Sequence, residues 1–384
     1  MNRTSFILVT SIVALVAMAL MLREPKPATQ AGSSISVFCA ASNRAVIEAI
    51  RSDYEREFGR SVQVQYGASQ TLLSSIEVSR TGDLYLPADD GFLAIAREKK
   101  LIAEQIPLAT MHAVVAVTKG NPKQITSLAD LRKPDVRLVQ ANPDAAAIGK
   151  LTRSILRDIG QWDALDKATA AYRTTVSDVA NDLVVGAADA GIVYDAVLHS
   201  YPKLEAIHII EFEAAVSKVA IGVIASSSQP DAALHFARYV AANDRGLKHY
   251  REQGFQVQTG DVWADVPEIS LFADSMLGPA IDDTVAAFEM REGVRVNRDY
   301  NGCGILVAPM KSGQHPDAYF ACDREFMNQV LNLFPAPVNV SGNDLVILIQ
   351  KEQFPQLTER LFEQLCSAES RESFEAEGFR WQKK

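Results

Sequence analysis

Two serines lie where a predicted strand passes into a predicted helix, a position suited to binding an anion. Ser42 follows the strand that begins at Ile35, and Ser69 follows the strand that contains Val62. The first backbone N–H groups of a helix have no partner within it, and the helix dipole favours negative charge there. A serine hydroxyl adds one donor that can rotate toward a ligand. Either serine can equally be an ordinary N-cap, which is the common role of serine at this position.

Motifs of common enzyme classes are absent from the sequence. Gly149-Lys150 lacks both the upstream glycine and the following hydroxyl residue of a phosphate-binding P-loop, and residues 302–304 lack the third glycine of a dinucleotide fingerprint. There is no G-x-S-x-G elbow, no H-E-x-x-H and no C-x-x-C, and the six histidines are scattered. We therefore expect a protein that is not an enzyme and that has no cofactor and no metal site.

The elements that must position the two serines alternate between strands and helices. Apolar residues at helical spacing from Ile47 to Phe58 predict a helix, which Gly59 ends. Alternation from Val62 to Tyr66 predicts a strand. Further β-type runs are residues 35–38, 84–86, 113–118, 191–194 and 219–225. Strands that alternate with helices indicate a parallel sheet covered on both faces, so the predicted fold class is α/β.

The length and composition of the chain restrict its organisation and its partners. At about 150 residues per domain, 384 residues suggest two or three domains, and 48% hydrophobic residues are enough for sizeable cores. The 38 Lys and Arg against 47 Asp and Glu give a net charge of −9. That acidic balance argues against nucleic acid as a partner, because a non-specific nucleic-acid binder needs an excess of cations. Four cysteines are too few for a disulfide-rich scaffold.

Residues 1–31 have the features of a leader segment. Arg3 precedes an uncharged apolar run, residues 6–22, which as a helix would be roughly 25 Å long and slightly short for a membrane span. Residues 17–19 (AMA) fit a signal-peptidase site, and residues 29–31 (TQA) fit one less well. The apolar run continues past the better site, so the leader is either a cleaved signal peptide or a membrane anchor. Both alternatives predict export.

Part of the chain repeats after an interval of 234 residues. This shift places residues 35–38 on residues 269–272 without a gap. Identical residues then coincide in further pairs: Ile47 and Ile281, Gly59 and Gly293, Val62 and Val296, Tyr66 and Tyr300, Leu72 and Leu306, Asp83 and Asp317, Tyr85 and Tyr319, Asp89 and Asp323. We interpret residues 266–384 as a second, partial copy of the fold in residues 35–257.

The second copy is much shorter than the first. About 170 residues separate Leu86 from Gly254 in the first copy, whereas about 60 separate Phe320 from Gly378 in the second. The missing block corresponds to about residues 120–215. The sequence therefore predicts a two-lobed first copy, with this block as its second lobe, followed by a single-lobed α/β partial repeat.

Five short segments follow one another along the first copy: residues 37–42 (VFCAAS), 66–72 (YGASQTL), 83–89 (DLYLPAD), 115–122 (VAVTKGNP) and 191–194 (GIVY). In this order and spacing they resemble the molybdate-binding proteins of ABC importers. The resemblance extends over residues 35–257 and, in part, over residues 266–384. It implies a two-lobed periplasmic binding protein fold of a type II-like kind, a periplasmic or extracytoplasmic location and an ABC permease as partner. The implied ligand is molybdate, or the similar oxyanion tungstate.

The resemblance also implies a set of binding residues. Ser42 and Ser69 correspond to the serines that bind the ligand from the first lobe. Ile148 and Val179 correspond to positions in the second lobe that donate a backbone N–H, so their side chains carry no evidence. Tyr194 corresponds to a tyrosine whose hydroxyl completes the ligand shell, although it can equally be an aromatic residue at the edge of a core.

Two departures from the family pattern bear on these assignments. The family often has a proline where Ala147 stands, which leaves the donor near Ile148 open. In the second copy, Met276 and Cys303 take the positions of the two serines. Two hydroxyl donors are lost there, and we expect that the second copy binds no oxyanion. A soft-metal site is one alternative for Met276 and Cys303, and a degenerate copy that has lost its ligand is the other.

Two functions of different classes follow from the sequence. The first is an exported solute-binding protein that captures a tetrahedral oxyanion for an ABC importer, with the lobes closing about connections near residues 112–119 and 218–225. The second is a membrane-tethered sensor or interaction protein that reuses the same fold. An uncleaved leader together with an absence of ion binding would favour the second.

Overall fold

The computed structural model describes residues 34–321, 323–334, 336–339, 346–349 and 353–379. The predicted leader lies outside the described residues, and so does the choice between signal peptide and anchor. No helix within the described ranges is both long and apolar enough to cross a membrane. We call residues 35–257 the N-terminal unit and residues 268–376 the C-terminal unit.

Strands and helices alternate through most of the N-terminal unit. Its strands are β1 (Ile35–Ala40), β2 (Val62–Gly67), β3 (Leu84–Leu86), β4 (Ile102–Thr118), β5 (Leu138–Ala141), β6 (Thr169–Arg173), β7 (Ala190–Tyr194), β8 (Leu204–Ile207), β9 (Val216–Ile224) and β10 (Gln256–Val257). Its helices are α1 (Arg44–Phe58), α2 (Ser69–Ser79), α3 (Gly91–Glu98), α4 (Ala147–Asp158), α5 (Trp162–Ala168), α6 (Val176–Val184), α7 (Pro230–Ala241) and α8 (Gly246–Glu252). The predicted α/β class is confirmed.

The long strand β4 belongs to two lobes. The strands run in the order β2-β1-β3-β9-β4-β7-β5-β6, with β8 and β10 also paired to β4. Residues 102–112 of β4 pair with β9, and residues 113–118 pair with β7 and β8. We call β1–β3, β9, β10 and the first part of β4, with α1–α3, α7 and α8, lobe A. We call the second part of β4 and β5–β8, with α4–α6, lobe B.

The C-terminal unit has a separate five-stranded sheet. Its strands are β11 (Glu268–Asp274), β12 (Arg295–Asn301), β13 (Ala318–Phe320), β14 (Ala336–Asn339) and β15 (Val346–Ile349). Its helices are α9 (Gly278–Glu292), α10 (Cys303–Lys311), α11 (Arg324–Asn328), α12 (Pro355–Leu365) and α13 (Ser370–Ala376). The strand order β12-β11-β13-β15-β14 matches the order β2-β1-β3-β9-β4 of lobe A, strand for strand. One large apolar core fills the N-terminal unit, and two smaller cores lie on the two faces of the C-terminal sheet.

The two units also agree in detail at the 234-residue interval. Ile35 lies opposite Val62 in the pairing of β1 with β2, and their counterparts Ile269 and Val296 lie opposite each other in the pairing of β11 with β12. The pairing of β1 with β3 agrees with that of β11 with β13 in the same way. Both α1 and α9 end at a glycine in the left-handed region, where other residues are strained. These residues are Gly59, with φ +66°, and Gly293, with φ +65°.

A buried ion-pair cluster joins the two units. Glu292, at the end of α9, is 2% exposed, and its carboxylate accepts hydrogen bonds from Arg360 Nε and Nη2 at 2.9 and 3.1 Å. Arg238, on α7, places Nη1 3.9 Å from the same carboxylate and donates to the main-chain carbonyl of Glu292. Burial lowers the pKa of Arg238 to about 10. This value is still well above neutral pH, and the guanidinium therefore stays charged. The cluster holds α9 and α12 against α7.

Candidate functional site

The N-terminal ends of helices from both lobes converge on one small cavity. Lobe A contributes the short 3₁₀ turn before α1 and the start of α2, and lobe B contributes the starts of α4 and α6. The lining residues with unpaired N–H groups or with hydroxyl groups are Ser42, Ser69, Ala147, Ile148, Thr175, Val176 and Tyr194, and most of the others are alanines. Because unpaired N–H groups and the positive ends of helix dipoles meet there, the cavity stabilises negative charge.

Ser42 and Ser69 lie on the lobe A side, both buried. Neither acts as the side-chain cap of its helix, so the alternative role as ordinary N-caps does not apply. The Ser69 hydroxyl oxygen accepts the N–H of Ala88 at 3.1 Å, and the Ser42 hydroxyl oxygen accepts from the Asn43 side-chain amide at 3.4 Å. Each hydroxyl oxygen thus accepts one hydrogen bond, and its proton is available to a ligand.

Backbone donors complete the lining. Within the part of the chain that the structure describes, the N–H groups of Ser42, Ser69, Ile148 and Val176 have no hydrogen-bond acceptor. The N–H of Ala147, the first residue of α4, has none there either. A proline at this position would lack that N–H. The alanine therefore adds a donor next to Ile148.

Val179, the other predicted donor of lobe B, does not line the cavity. It lies one turn inside α6, where its N–H donates to the Thr175 carbonyl at 3.4 Å and its side chain is fully buried close to Gly191. The residue at the start of α6 is Val176, and it lines the cavity instead. A sequence signal for this start does exist, since Thr175 and Asp178 form a capping box.

Tyr194, at the end of β7, reaches the cavity from a fully buried position. Its hydroxyl donates to Ser217 Oγ at 3.2 Å, and Ser217 Oγ lies 2.8 Å from Asp89 Oδ2. Burial raises the pKa of Tyr194, and the Asp89 carboxylate raises it further, so the phenol keeps its proton. Ser217 carries no sequence motif and was not predicted. It connects the tyrosine to a carboxylate that itself accepts the N–H of Gly91 at the start of α3.

The lobes are closed around the cavity. The N–H of Gln70 in lobe A donates to the Ala145 carbonyl of lobe B at 3.0 Å. The Ser177 hydroxyl of lobe B donates to the Ala41 carbonyl of lobe A at 3.4 Å. The enclosed volume is about 20 Å³. In this arrangement of the lobes the space is too small for a sugar or an amino acid.

Among the described residues, the cavity lining carries helix dipoles and no charged side chain. In the described ranges there is also no group of three or more His, Cys, Asp or Glu residues that could hold a metal. The lining therefore offers neutral hydrogen-bond donors, which is the chemistry of an anion site.

The counterparts of the two serines in the C-terminal unit have a different environment. The Met276 side chain is 67% exposed, whereas Cys303 is buried. The Cys303 thiol donates to the Asp274 carboxylate at 3.0 Å. The sulfur of Cys303 is thus engaged with a carboxylate of its own unit.

Comparison with known proteins places the N-terminal unit in a family. The sequence profile of the bacterial extracellular solute-binding proteins matches residues 35–256, more than half of the chain. The chain belongs to this family. Its members bind solutes and are not enzymes, and the matched residues end at β10. The C-terminal unit lies beyond the match.

Relatives with assigned ligands agree with the predicted resemblance. The molybdate-binding protein ModA of Mycobacterium tuberculosis is 30% identical over 222 residues, which are 57% of this chain and 83% of that protein. The molybdate-binding protein ModA of Escherichia coli is 29% identical over 184 residues, 45% of this chain and 70% of that protein. The resemblance to molybdate-binding solute-binding proteins is confirmed.

Solved structures agree in fold. The periplasmic molybdate-binding protein of Azotobacter vinelandii superposes with a TM-score of 0.51 at 15% identity, over 59% of this chain and 100% of that one. The periplasmic binding protein AfuA of Actinobacillus pleuropneumoniae, with bound fructose-6-phosphate, gives 0.52 at 13% identity, over 60% and 88%. The two-lobed periplasmic binding protein fold, followed by an additional α/β region, is confirmed.

Proposed function

We propose that this protein is an exported solute-binding protein that captures one tetrahedral oxyanion, molybdate or tungstate, and delivers it to an ABC permease. The observation that carries the proposal is the convergence of helix N-termini from both lobes on a closed cavity without charged side chains. Ser42 and Ser69 supply hydroxyl donors, and the Tyr194 hydroxyl, which donates to Ser217 Oγ in this structure, would turn its proton to the ion. Ile148 and Val176, with Ala147, supply backbone donors from lobe B.

The donors themselves select among anions. Each serine oxygen already accepts one N–H, and backbone N–H groups make up the rest of the donors, so the cavity presents more hydrogen-bond donors than acceptors. An anion that carries its own proton, such as hydrogenphosphate, uses these donors less well than a fully deprotonated ion, and a proton left unpaired in a buried site costs about 1–3 kcal/mol. Molybdate, tungstate and sulfate carry no proton at neutral pH. Size then discriminates between sulfate and the larger two ions.

The cavity volume separates an inorganic ion from an organic ligand. AfuA holds fructose-6-phosphate in the same fold, but the closed lobes of this protein leave only about 20 Å³. Because Gln70 and Ser177 already connect the lobes, a larger solute would have to break those contacts. The closed geometry therefore supports a small oxyanion.

The remaining parts of the proposal concern organisation and location. The shared strand order and register support an internal duplication, with domain limits at residues 35–257 and 266–384 and a second lobe at about residues 120–215. Strand β4, which passes from lobe A to lobe B, and the chain that returns from lobe B to the start of β9 would act as the hinge. The leader would direct the chain to the periplasm, as a cleaved signal or as an anchor, where the permease is the partner.

Calorimetric titration of the protein without its leader tests the proposal. Molybdate, tungstate, sulfate and phosphate are titrated at the same ionic strength. We expect one molybdate or tungstate ion per chain, weaker binding of sulfate and the weakest binding of phosphate. No binding of any of the four ions would contradict the proposal and favour the tethered sensor or interaction protein. Phosphate binding as tight as molybdate binding would contradict the selection for an anion that carries no proton.

A further inference from the structure

The last residue of the central strand differs between the two units. β1 ends at Ala40, which lines the cavity of the N-terminal unit. The 234-residue counterpart of Ala40 is Asp274, the last residue of β11. Asp274 is 5% exposed. A buried carboxylate is expensive unless it is paired or receives hydrogen bonds, so the contacts of Asp274 decide what it does.

The hydrogen bonds that Asp274 accepts from Met276 and Cys303 come from the helix-start donors of its own unit. Asp274 Oδ1 accepts the N–H of Met276 at 2.9 Å. Asp274 Oδ2 accepts the N–H of Cys303 at 3.2 Å and the thiol of Cys303 at 3.0 Å. One carboxylate thus bridges the chain that enters α9 and the first residue of α10. Hydrogen bonds of this kind, to a charged acceptor at helix N-termini, are favourable.

The same donors face the cavity in the N-terminal unit. Met276 is the counterpart of Ser42, and Cys303 is the counterpart of Ser69. In the N-terminal unit the N–H groups of Ser42 and Ser69 have no acceptor among the described residues. In the C-terminal unit both counterpart N–H groups, and the side chain at the second position, donate to Asp274.

We propose that the Asp274 carboxylate is a built-in substitute for a bound oxyanion in the C-terminal unit. It occupies the position that an anion would take next to Met276 and Cys303, and this unit therefore binds no anion from solution. The proposal rests on the proposed function only in identifying the cavity of the N-terminal unit as an anion site. Once the carboxylate is removed, the vacated site should bind a small carboxylate or oxyanion.

The first experiment removes the Asp274 carboxylate by mutation and supplies a free carboxylate, formate, from solution. In Asp274→Ala, the amides of Met276 and Cys303 should exchange with deuterium at least tenfold faster than in the unaltered protein. Sodium formate should slow them again at least tenfold relative to sodium chloride at equal ionic strength, because formate replaces the missing carboxylate. In the unaltered protein formate should leave both rates unchanged.

The matched control is Asp317→Ala. Asp317 Oδ2 also accepts a backbone N–H, from Ser270 at 2.8 Å, as Asp83 does from Ser36 in the N-terminal unit. This carboxylate is common to both units and is not at the anion position. Formate should therefore not slow the amides of Met276 and Cys303 in this variant. Failure of formate to restore protection in Asp274→Ala, whether the variant is folded or unfolded, would overturn the proposal.

A reciprocal experiment moves the carboxylate into the N-terminal unit. Ala40→Asp should bind molybdate at least 100-fold more weakly, and it should unfold at a temperature close to that of the unaltered protein because the new carboxylate receives the free donors. Ala40→Leu, of similar size but without an acceptor, should unfold at a clearly lower temperature. Undiminished molybdate binding by a folded Ala40→Asp, or equal destabilisation by both substitutions, would contradict the proposal. If the unaltered protein binds no oxyanion, the proposed function fails, and the formate experiment still decides the role of Asp274.

Discussion

In lobe A and in the C-terminal unit, two helix starts meet at the end of the central parallel strand. In lobe A the strand ends at Ala40, and the serines and free N–H groups beyond it line a cavity. In the C-terminal unit the strand ends at Asp274, and its carboxylate accepts the corresponding donors. Five strands share the same order in both places.

This difference shows that the helix starts shared by the two regions favour a negative charge, which can come from a ligand or from a side chain. Helix starts that converge on one point leave several N–H groups unpaired. A ligand from solution can satisfy them, and so can one acidic side chain. On our proposal, the residue at the strand end, Ala40 or Asp274, is one of the differences between a binding unit and a structural one.

A second difference concerns lobe B. In the N-terminal unit, all of β5–β8 lies between β4 and β9. In the C-terminal unit, residues 340–345 alone separate β14 from β15, the strands at the corresponding places in the sheet. A unit without lobe B has no second set of donors to close over an ion. Asp274 is attached to the strand itself, so it needs no second lobe to hold it in place.

The largest expected effect comes from removing both serine hydroxyls of the N-terminal unit. Each donates to a charged ligand, and hydrogen bonds of this kind contribute about 1.5–3 kcal/mol. Ser42→Ala together with Ser69→Ala should therefore weaken molybdate binding by roughly 10²–10⁴-fold, as measured by calorimetry. The matched control is Met276→Ala with Cys303→Ala at the counterpart positions, and it should leave the affinity unchanged. Equal losses in the two double variants would remove the distinction between the units.

The junction between the units should be the next most sensitive place. Glu292 is buried against Arg238 and Arg360, whereas its counterpart in the N-terminal unit is Phe58, which packs against Trp263. Glu292→Gln leaves two buried cations without their carboxylate and should lower the free energy of unfolding by about 3–5 kcal/mol in urea titrations. Glu268→Gln, which removes an exposed partner of Arg295, should lower it by less than about 1 kcal/mol. Similar values for both variants would contradict a stabilising junction.

Tyr194 tests the contribution of lobe B, which the C-terminal unit lacks. Tyr194→Phe removes one hydroxyl, and the Ser217 hydroxyl keeps its contacts with Asp89 and Ala88. Molybdate affinity should fall by roughly tenfold or somewhat more, the effect of one hydrogen bond to an anion. Tyr172→Phe, at a surface hydroxyl of the same lobe that donates to Asp166, is the control and should have no effect. An unchanged affinity in Tyr194→Phe would remove the tyrosine from the ligand shell.

The smallest effect is a pH dependence specific to the N-terminal unit. His235 lies between Tyr54 and Asp265, and burial lowers its pKa despite the opposing Asp265 carboxylate. Below about pH 6.5 the unfolded chain binds a proton that folded His235 resists, so stability should fall as the pH drops. His235→Gln should show a shallower fall in urea titrations at a series of pH values. In the C-terminal unit Phe288 stands at the position of Tyr54, so no equivalent pair exists among its described residues. Identical pH profiles for both proteins would contradict this role of His235.

Local patterns predicted the elements that position the first-lobe donors. Helical spacing from Ile47 and the glycine at position 59 predict α1 and its end, although the helix begins at Arg44, and alternation predicts β2. Ser42 and Ser69 follow from these limits, because a hydroxyl at a strand-to-helix junction depends on neighbours in the sequence. The structure brings both serines, Ile148 and Tyr194 to one cavity.

Features that depend on distant contacts were not predictable in the same way. Residues 102–112 form the first part of β4 because they pair with β9, more than a hundred residues later. Ser217 has no local signature and matters through its contacts with Tyr194 and Asp89. The resemblance points to Val179, which lies one turn inside α6, whereas the capping box of Thr175 places Val176 at the helix start.

Crystals of the protein grown with molybdate, measured at the molybdenum absorption edge, test both halves of the comparison together. One anomalous peak per chain should lie in the cavity between Ser42, Ser69 and Tyr194, and none beside Cys303, where Asp274 occupies the donors. An absence of molybdenum from the cavity, or a peak within hydrogen-bond distance of Met276 and Cys303, would contradict the assignment of one binding unit and one self-filled unit.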